Sequence, residues 1–142
     1  MPAKDIYHEP FVRALQKDGW AITHDPLTVT VEGTNLLIDV GAERLLAAQR
    51  GNERIAVEIK SFVSLSAVQD LKEAAGQFLL YDLALRQSGN QADRTLYLAV
   101  REAVFGDVFV DGIGKLFLNS GFLRLIVFDP DREEITRWIK RR

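Results

Sequence analysis

The segment Arg54 to Phe62, RIAVEIKSF, alternates Ile55, Val57 and Ile59 with Ala56, Glu58 and Lys60. Alternation at a period of two, rich in β-branched residues, suits a strand and does not suit a helix. It predicts that Glu58 and Lys60 share one face while Val57 and Ile59 enter the packing layer behind it. An acid and a base thus project together from the clearest strand of the chain.

The remaining pattern surrounds this strand with helices and further strands. Tyr7, Phe11, Val12 and Leu15 recur at helical spacing between Lys4 and Asp18, and Gly19 follows as a stop. Trp20 to Thr23 and Leu27 to Val31 read as strands, separated by the His24-Asp-Pro turn. Leu36 to Gly41 continues as mostly strand towards Gln49, and Arg50-Gly-Asn-Glu makes a hairpin turn into Arg54. Ser66 caps a helix running to Arg86. Leu96 to Val100 and Leu123 to Phe128 suit buried strands, Val108 to Ser120 a helix, and the C-terminus a helical tail. With 142 residues, 47% hydrophobic and 27% charged, the expectation is one domain over residues 1–142, an α/β fold with a mixed sheet between helices.

Composition excludes several classes. Eighteen Lys+Arg against twenty Asp+Glu give a net charge of −2, so bulk positive charge cannot coat nucleic acid. Without cysteine there is no disulfide scaffold, thiolate zinc site or Cys nucleophile. No apolar run approaches the ~18 residues of a membrane span. A cytoplasmic protein without a membrane partner is expected.

Asp39 interrupts the apolar run Leu36-Leu-Ile-Asp-Val. An unpaired carboxylate there is costly, so it requires a metal, an arginine or backbone donors. A hairpin turning at Gly51-Asn52 brings residues into register when their numbers sum to about 103, which sets Asp39 near the low sixties unless a bulge at Gly41 shifts it. Should Asp39 and Glu58 converge, two carboxylates could hold a hard divalent cation such as Mg²⁺ or Mn²⁺. Lys60 could then orient a water or balance charge on a phosphate, the parts that phosphodiester hydrolysis needs. Two blander arrangements use the same residues: a solvated Glu58-Lys60 ion pair, and an ion pair of Asp39 with Arg44 or Arg54.

Asp39 followed by Glu58-Ile-Lys60 resembles the PD-(D/E)XK nuclease signature, and Gln77-x-x-x-Tyr81 resembles the Gln/Tyr motif of RecB-like nucleases. Ile38 stands where the signature has its proline. That resemblance implies a restriction-endonuclease-like α-β-β-β-α-β core with C-terminal additions, metal on Asp39 and Glu58, and catalysis by Asp39, Glu58, Lys60, Gln77 and Tyr81. A longer match runs through Met1-Pro-Ala-Lys-Asp-Ile-Tyr-His, Asp18 to Pro26, Ile38 to Glu43, Ile55 to Phe62 and Gly76 to Tyr81, and is similar to the XisH family. This second resemblance implies an excision controlling factor for the fdxN element, a DNA segment removed during heterocyst differentiation in cyanobacteria. Its implied partners are DNA, a XisI-like protein and a site-specific recombinase. A non-catalytic regulatory subunit on the same fold is the alternative role.

Gln77 and Tyr81, four apart, share a helix face and could reach a phosphate or nucleic acid. That face lies opposite a stripe of Val68, Leu71, Phe78 and Leu79, which needs a separate apolar partner. Leu80, Leu83 and Leu85 extend the apolar surface around the helix, so a homodimer or higher oligomer is expected. His8 and Glu9 in the first helix, and Glu43, are acids or ligands able to extend the site, or else capping and solvent residues. Trp20 and Trp138 read as core or boundary aromatics, and Arg137 to Arg142 as a solvated basic end.

Overall fold

The computed structural model describes residues 5–45 and 52–140. Helix α1, His8–Lys17, ends where the sequence stops it. Gly19 adopts φ +96°, and its N–H and that of Trp20 bond to the Gln16 and Leu15 carbonyls at 3.0 and 3.2 Å. This is the left-handed glycine stop that satisfies the last free carbonyls of a helix. The chain then forms β1 (Ala21–His24), β2 (Leu27–Val31), β3 (Thr34–Ile38), β4 (Val40–Leu45) and β5 (Asn52–Ile59). Helix α2 covers Ala67–Gln87, and Ser66 caps it by accepting the Gln69 N–H at 3.1 Å.

Strand β6 (Thr95–Arg101) leads through the short helix α3 (Glu102–Val104) and a π-helical turn, Phe105–Phe109, to α4 (Gly112–Asn119). Strands β7 (Leu125–Asp129) and β8 (Glu134–Ile139) complete the described chain. The main sheet has the order β1-β4-β5-β6-β7-β8, with β5, β6 and β7 parallel and the outer pairings antiparallel. Strands β2 and β3 form a separate hairpin. The result is the mixed sheet flanked by helices that the pattern predicts, with five strands rather than three between α1 and α2.

Two apolar layers hold the sheet. Phe11 and Leu15 of α1 pack on Val40, Ile55, Val57, Ile59 and Phe128. On the other face Leu71, Phe78 and Leu85 of α2 pack on Ala56, Leu98 and Val127, together with Leu27 and Ile38 of the hairpin. Buried Arg124 ties α2 to this layer. Its Nε donates to the Leu96 carbonyl at 2.8 Å, its Nη2 to Asp82 Oδ1 at 3.0 Å, and its guanidinium lies 5.1 Å from the Phe78 ring centroid.

Three expectations change. The C-terminus is strand β8, not a helical tail, because Ile135, Thr136 and Ile139 are β-branched and the Asp129 turn folds them back on β7. The run from Leu36 is broken at Asp39 into β3 and β4, and its continuation to Gln49 and the Arg50-Gly51 turn lie outside the described residues. On α2, Leu71 and Phe78 are buried, but Val68 and Leu79 are exposed. The inward stripe instead adds Ala74, Ala75 and Leu85. Trp20 and Trp138 pack together with ring centroids 5.7 Å apart, as boundary aromatics.

Candidate functional site

The β4–β5 ladder places Val40 opposite Val57 and Gly41 opposite Ala56, so paired residue numbers sum to 97. The connection is therefore centred three residues earlier than a turn at Gly51-Asn52 would place it, and Asp39 falls opposite Glu58 rather than the low sixties. Side chains replace the ladder at this step. The Asp39 N–H donates to Glu58 Oε1 at 3.2 Å, and the Ile59 N–H donates to Asp39 Oδ2 at 2.8 Å. Here the chain leaves the small hairpin for the main sheet, and the carboxylates satisfy the backbone groups exposed by that departure.

The two carboxyls are close enough to share a hydrogen bond when one is protonated. Burial raises the Glu58 carboxyl, with the Asp39 charge adding to it, up to about 9. Burial also raises Asp39, against the opposing effect of the Ile59 N–H. Neither Arg44 nor Arg54 supplies the counter-charge. Arg44 pairs with Glu53 at 3.0 Å, and Arg54 bonds to Asp93 and the Gln91 side chain. The pair is thus held by backbone donors, and burial favours its protonated form.

Lys60 continues from β5, its N–H bonded to the Ala99 carbonyl at 3.1 Å. Its charge acts on Glu58, but its ammonium bonds to Glu73 Oε2 of α2 at 2.9 Å. Tyr81 is half-buried, and its phenol is raised by burial first and then by the charges of Glu58 and Asp39. Gln77 is exposed, one helical turn before Tyr81 and one after Glu73, so these three form a row on the face of α2 beside the acids. Asp39, Glu58, Lys60 and Tyr81 therefore converge. Gln77 stands at the rim.

His8 and Glu9 belong to α1, which packs on the sheet face opposite α2, and they form a second group with Asp25. His8 is 2% exposed, its Nε2 lies 2.7 Å from Asp25 Oδ1, and its Nδ1 is buried without a hydrogen-bond partner. The ligand atoms of His8, Glu9 and Asp25 lie within 4.8 Å of one another, and the charges of His8 and Asp5 act on Asp39. Asp25 reads from the sequence only as a turn residue, and Glu73 carries no motif. The signal for Glu73 was present, since it precedes Gln77 by one helical turn. Glu43 stands apart, opposite Arg54 at the far part of the β4–β5 ladder. Arg137 lies over the Phe105 ring at 4.9 Å, and Arg141 and Arg142 are outside the described residues.

Two adjacent half-buried carboxyls, each raised by partial burial, are hard oxygen donors whose repulsion a divalent cation would relieve. That chemistry fits Mg²⁺ or Mn²⁺ on Asp39 and Glu58. Among the described residues, no helix is long and apolar enough to cross a membrane.

The fold and site define a mixed α/β domain with a half-buried carboxyl pair and a lysine at the end of its central strand. The chain belongs to the XisH family, whose model matches residues 1–136. It is similar to the crystal structure of an XisH family protein from Nostoc punctiforme PCC 73102, with 39% identity and a TM-score of 0.84 over 96% of this chain and 100% of that one. It is also similar to the crystal structure of an fdxN element excision controlling factor protein from Anabaena variabilis, with 38% identity, a TM-score of 0.82 and the same coverage. No curated protein matches the chain.

Proposed function

We propose that this chain is a divalent-metal-dependent DNA endonuclease or junction-processing enzyme of PD-(D/E)XK type, acting in the programmed excision of a DNA element. The observation that carries this reading is the half-buried Asp39–Glu58 pair, with Lys60 two residues beyond Glu58 on the same strand face. A bound Mg²⁺ or Mn²⁺ would supply Lewis-acid polarisation of a phosphoryl oxygen. Asp39 and Glu58 would hold the cation, Glu58 in its deprotonated form. Lys60 exchanges Glu73 for the phosphate and offsets its charge. Tyr81 and Gln77 offer a phenol and an amide to the substrate backbone from α2.

A second reading rests on a different observation. The site is edged by Asp5, Glu9, Asp25 and Glu73, and its lysine is already paired with Glu73. Acidic surroundings oppose unaided DNA binding. They suit a regulatory subunit that meets DNA through a XisI-like protein or a recombinase.

A cleavage assay on duplex, flap and four-way-junction DNA with Mg²⁺ or Mn²⁺ tests both, with and without a XisI-like protein. Metal-dependent cleavage lost in Asp39→Asn supports the enzyme. Absence of cleavage in every combination, with DNA bound only when the other protein is present, supports the regulatory subunit.

A further inference from the structure

Helix α2 has two apolar faces, and only one is used within the domain. Leu71, Ala74, Phe78 and Leu85 face the sheet, whereas Leu79, Leu80 and Leu83 are 46%, 51% and 52% exposed. Gly76 precedes them on the outer face, with no atom within 4 Å of the position a Cβ would take. Gly76 and Leu83 are seven apart with Leu79 and Leu80 between them, the spacing of a seam against another helix. Three half-exposed leucines around an open glycine form one contiguous patch, not scattered surface residues.

We infer that this outer face of α2 seats a second copy of the chain, with the two α2 helices running parallel about a two-fold axis. Charge chooses the occupant's orientation. At ~100° per residue, with Gly76 and Leu83 central, Lys72, Leu79 and Arg86 fall on one side of the seam and Glu73, Leu80 and Gln87 on the other. A two-fold axis along the helices brings opposite sides together. Lys72 then nears Glu73 of the second copy, a carboxylate that also accepts from Lys60 of its own chain at 2.9 Å, Leu79 meets Leu80, and Gly76 and Leu83 meet their own counterparts. An antiparallel pair would instead bring like sides together, inverted, and set Lys72 against Arg86. The glycine permits close approach of the backbones at the level where side chains would otherwise hold them apart.

The chain has no cysteine, so Leu83→Cys carries the only thiol. Leu83 is half-exposed, and this change leaves the core intact. Sedimentation of the wild-type chain at micromolar concentration should give twice the chain mass, and Leu83→Arg should give the monomer mass with an unchanged circular dichroism spectrum. On mild oxidation Leu83→Cys should form a disulfide-linked dimer at least about tenfold faster than Thr28→Cys, an exposed control on β2, because the seam raises the effective thiol concentration. A monomeric wild type, a dimer indifferent to Leu83→Arg, or equal rates for the two thiols would overturn the interface. Cross-linking found only on mixing Gly76→Cys with Leu83→Cys would overturn the parallel arrangement.

Discussion

The Asp39 backbone N–H donates to Glu58 Oε1 at 3.2 Å, one step beyond the Val40–Val57 pair that ends the β4–β5 ladder. The reciprocal bond, from the Ile59 N–H to Asp39 Oδ2 at 2.8 Å, locks both acids to the end of β5. The carboxyl pair is thus held by main-chain donors, and its charge is left for a proton or a cation.

Metal should stabilise the fold. The unfolded chain has no preformed pair, so a cation bound only by the native state adds RT ln(1 + [L]/Kd). At tenfold excess over Kd this is about 1.4 kcal/mol, a rise in melting temperature of roughly 3 to 6 °C for a domain of this size. Asp39→Asn keeps the shape but removes an anionic ligand, and should abolish most of the shift. Thermal melts with and without Mg²⁺ or Mn²⁺ check this, and an unchanged response in Asp39→Asn would remove Asp39 from the site.

The same pair makes stability fall with rising pH. Glu58 is raised from 4.5 to about 9, so between those values the folded chain keeps a proton that the unfolded chain has released. The contribution is complete below the unfolded value and is lost as pH rises through the folded one, at up to about 1.4 kcal/mol per pH unit. Denaturant titrations across this window should show that slope, and Glu58→Gln should flatten it. Metal binding to the wild type should release protons and tighten with pH up to about 9, measurable by calorimetry in buffers of different ionisation heat.

Lys60 should separate chemistry from metal binding. Its ammonium acts on Glu58 and so opposes a nearby cation. Lys60→Ala should therefore retain or increase the metal-dependent melting shift while losing DNA cleavage by roughly two orders of magnitude or more. Loss of the thermal shift in Lys60→Ala would instead mark the lysine as structural.

Asp82 lies away from the acid pair and should matter for stability alone. It accepts from buried Arg124 at 3.0 Å and from exposed Arg86 at 2.6 Å. Asp82→Ala leaves the Arg124 guanidinium buried without its carboxylate, at a cost of about 3 kcal/mol. Urea denaturation should show this loss with no change in the metal response. A cost below about 0.5 kcal/mol would mean that the Leu96 carbonyl and the Phe78 ring suffice for Arg124.

Local pattern carried a large part of the structure. The alternation in RIAVEIKSF set β5 and put Glu58 and Lys60 on one face, because a strand offers only two faces. Gly19 and Ser66 marked a helix end and a helix start through backbone chemistry that acts within a few residues. Asp39 stood out because a carboxylate in an apolar run needs a partner wherever the chain goes. By contrast, the C-terminal segment was ambiguous until β7 offered it an edge, since strand preference depends on what is available to pair.

What sequence alone determined is therefore the kind of element each segment forms and the presence of two acids and a lysine that need company. Tertiary structure decided which partner each acid received. Shifting the centre of the β4–β5 connection by three residues moved Asp39 from the low sixties to Glu58, and no local rule fixes that shift. It also chose which leucines of α2 enter the core and turned the Lys60 ammonium to Glu73. These choices are long-range because a helix or strand presents its faces by periodicity, whereas what meets each face depends on where the rest of the chain packs.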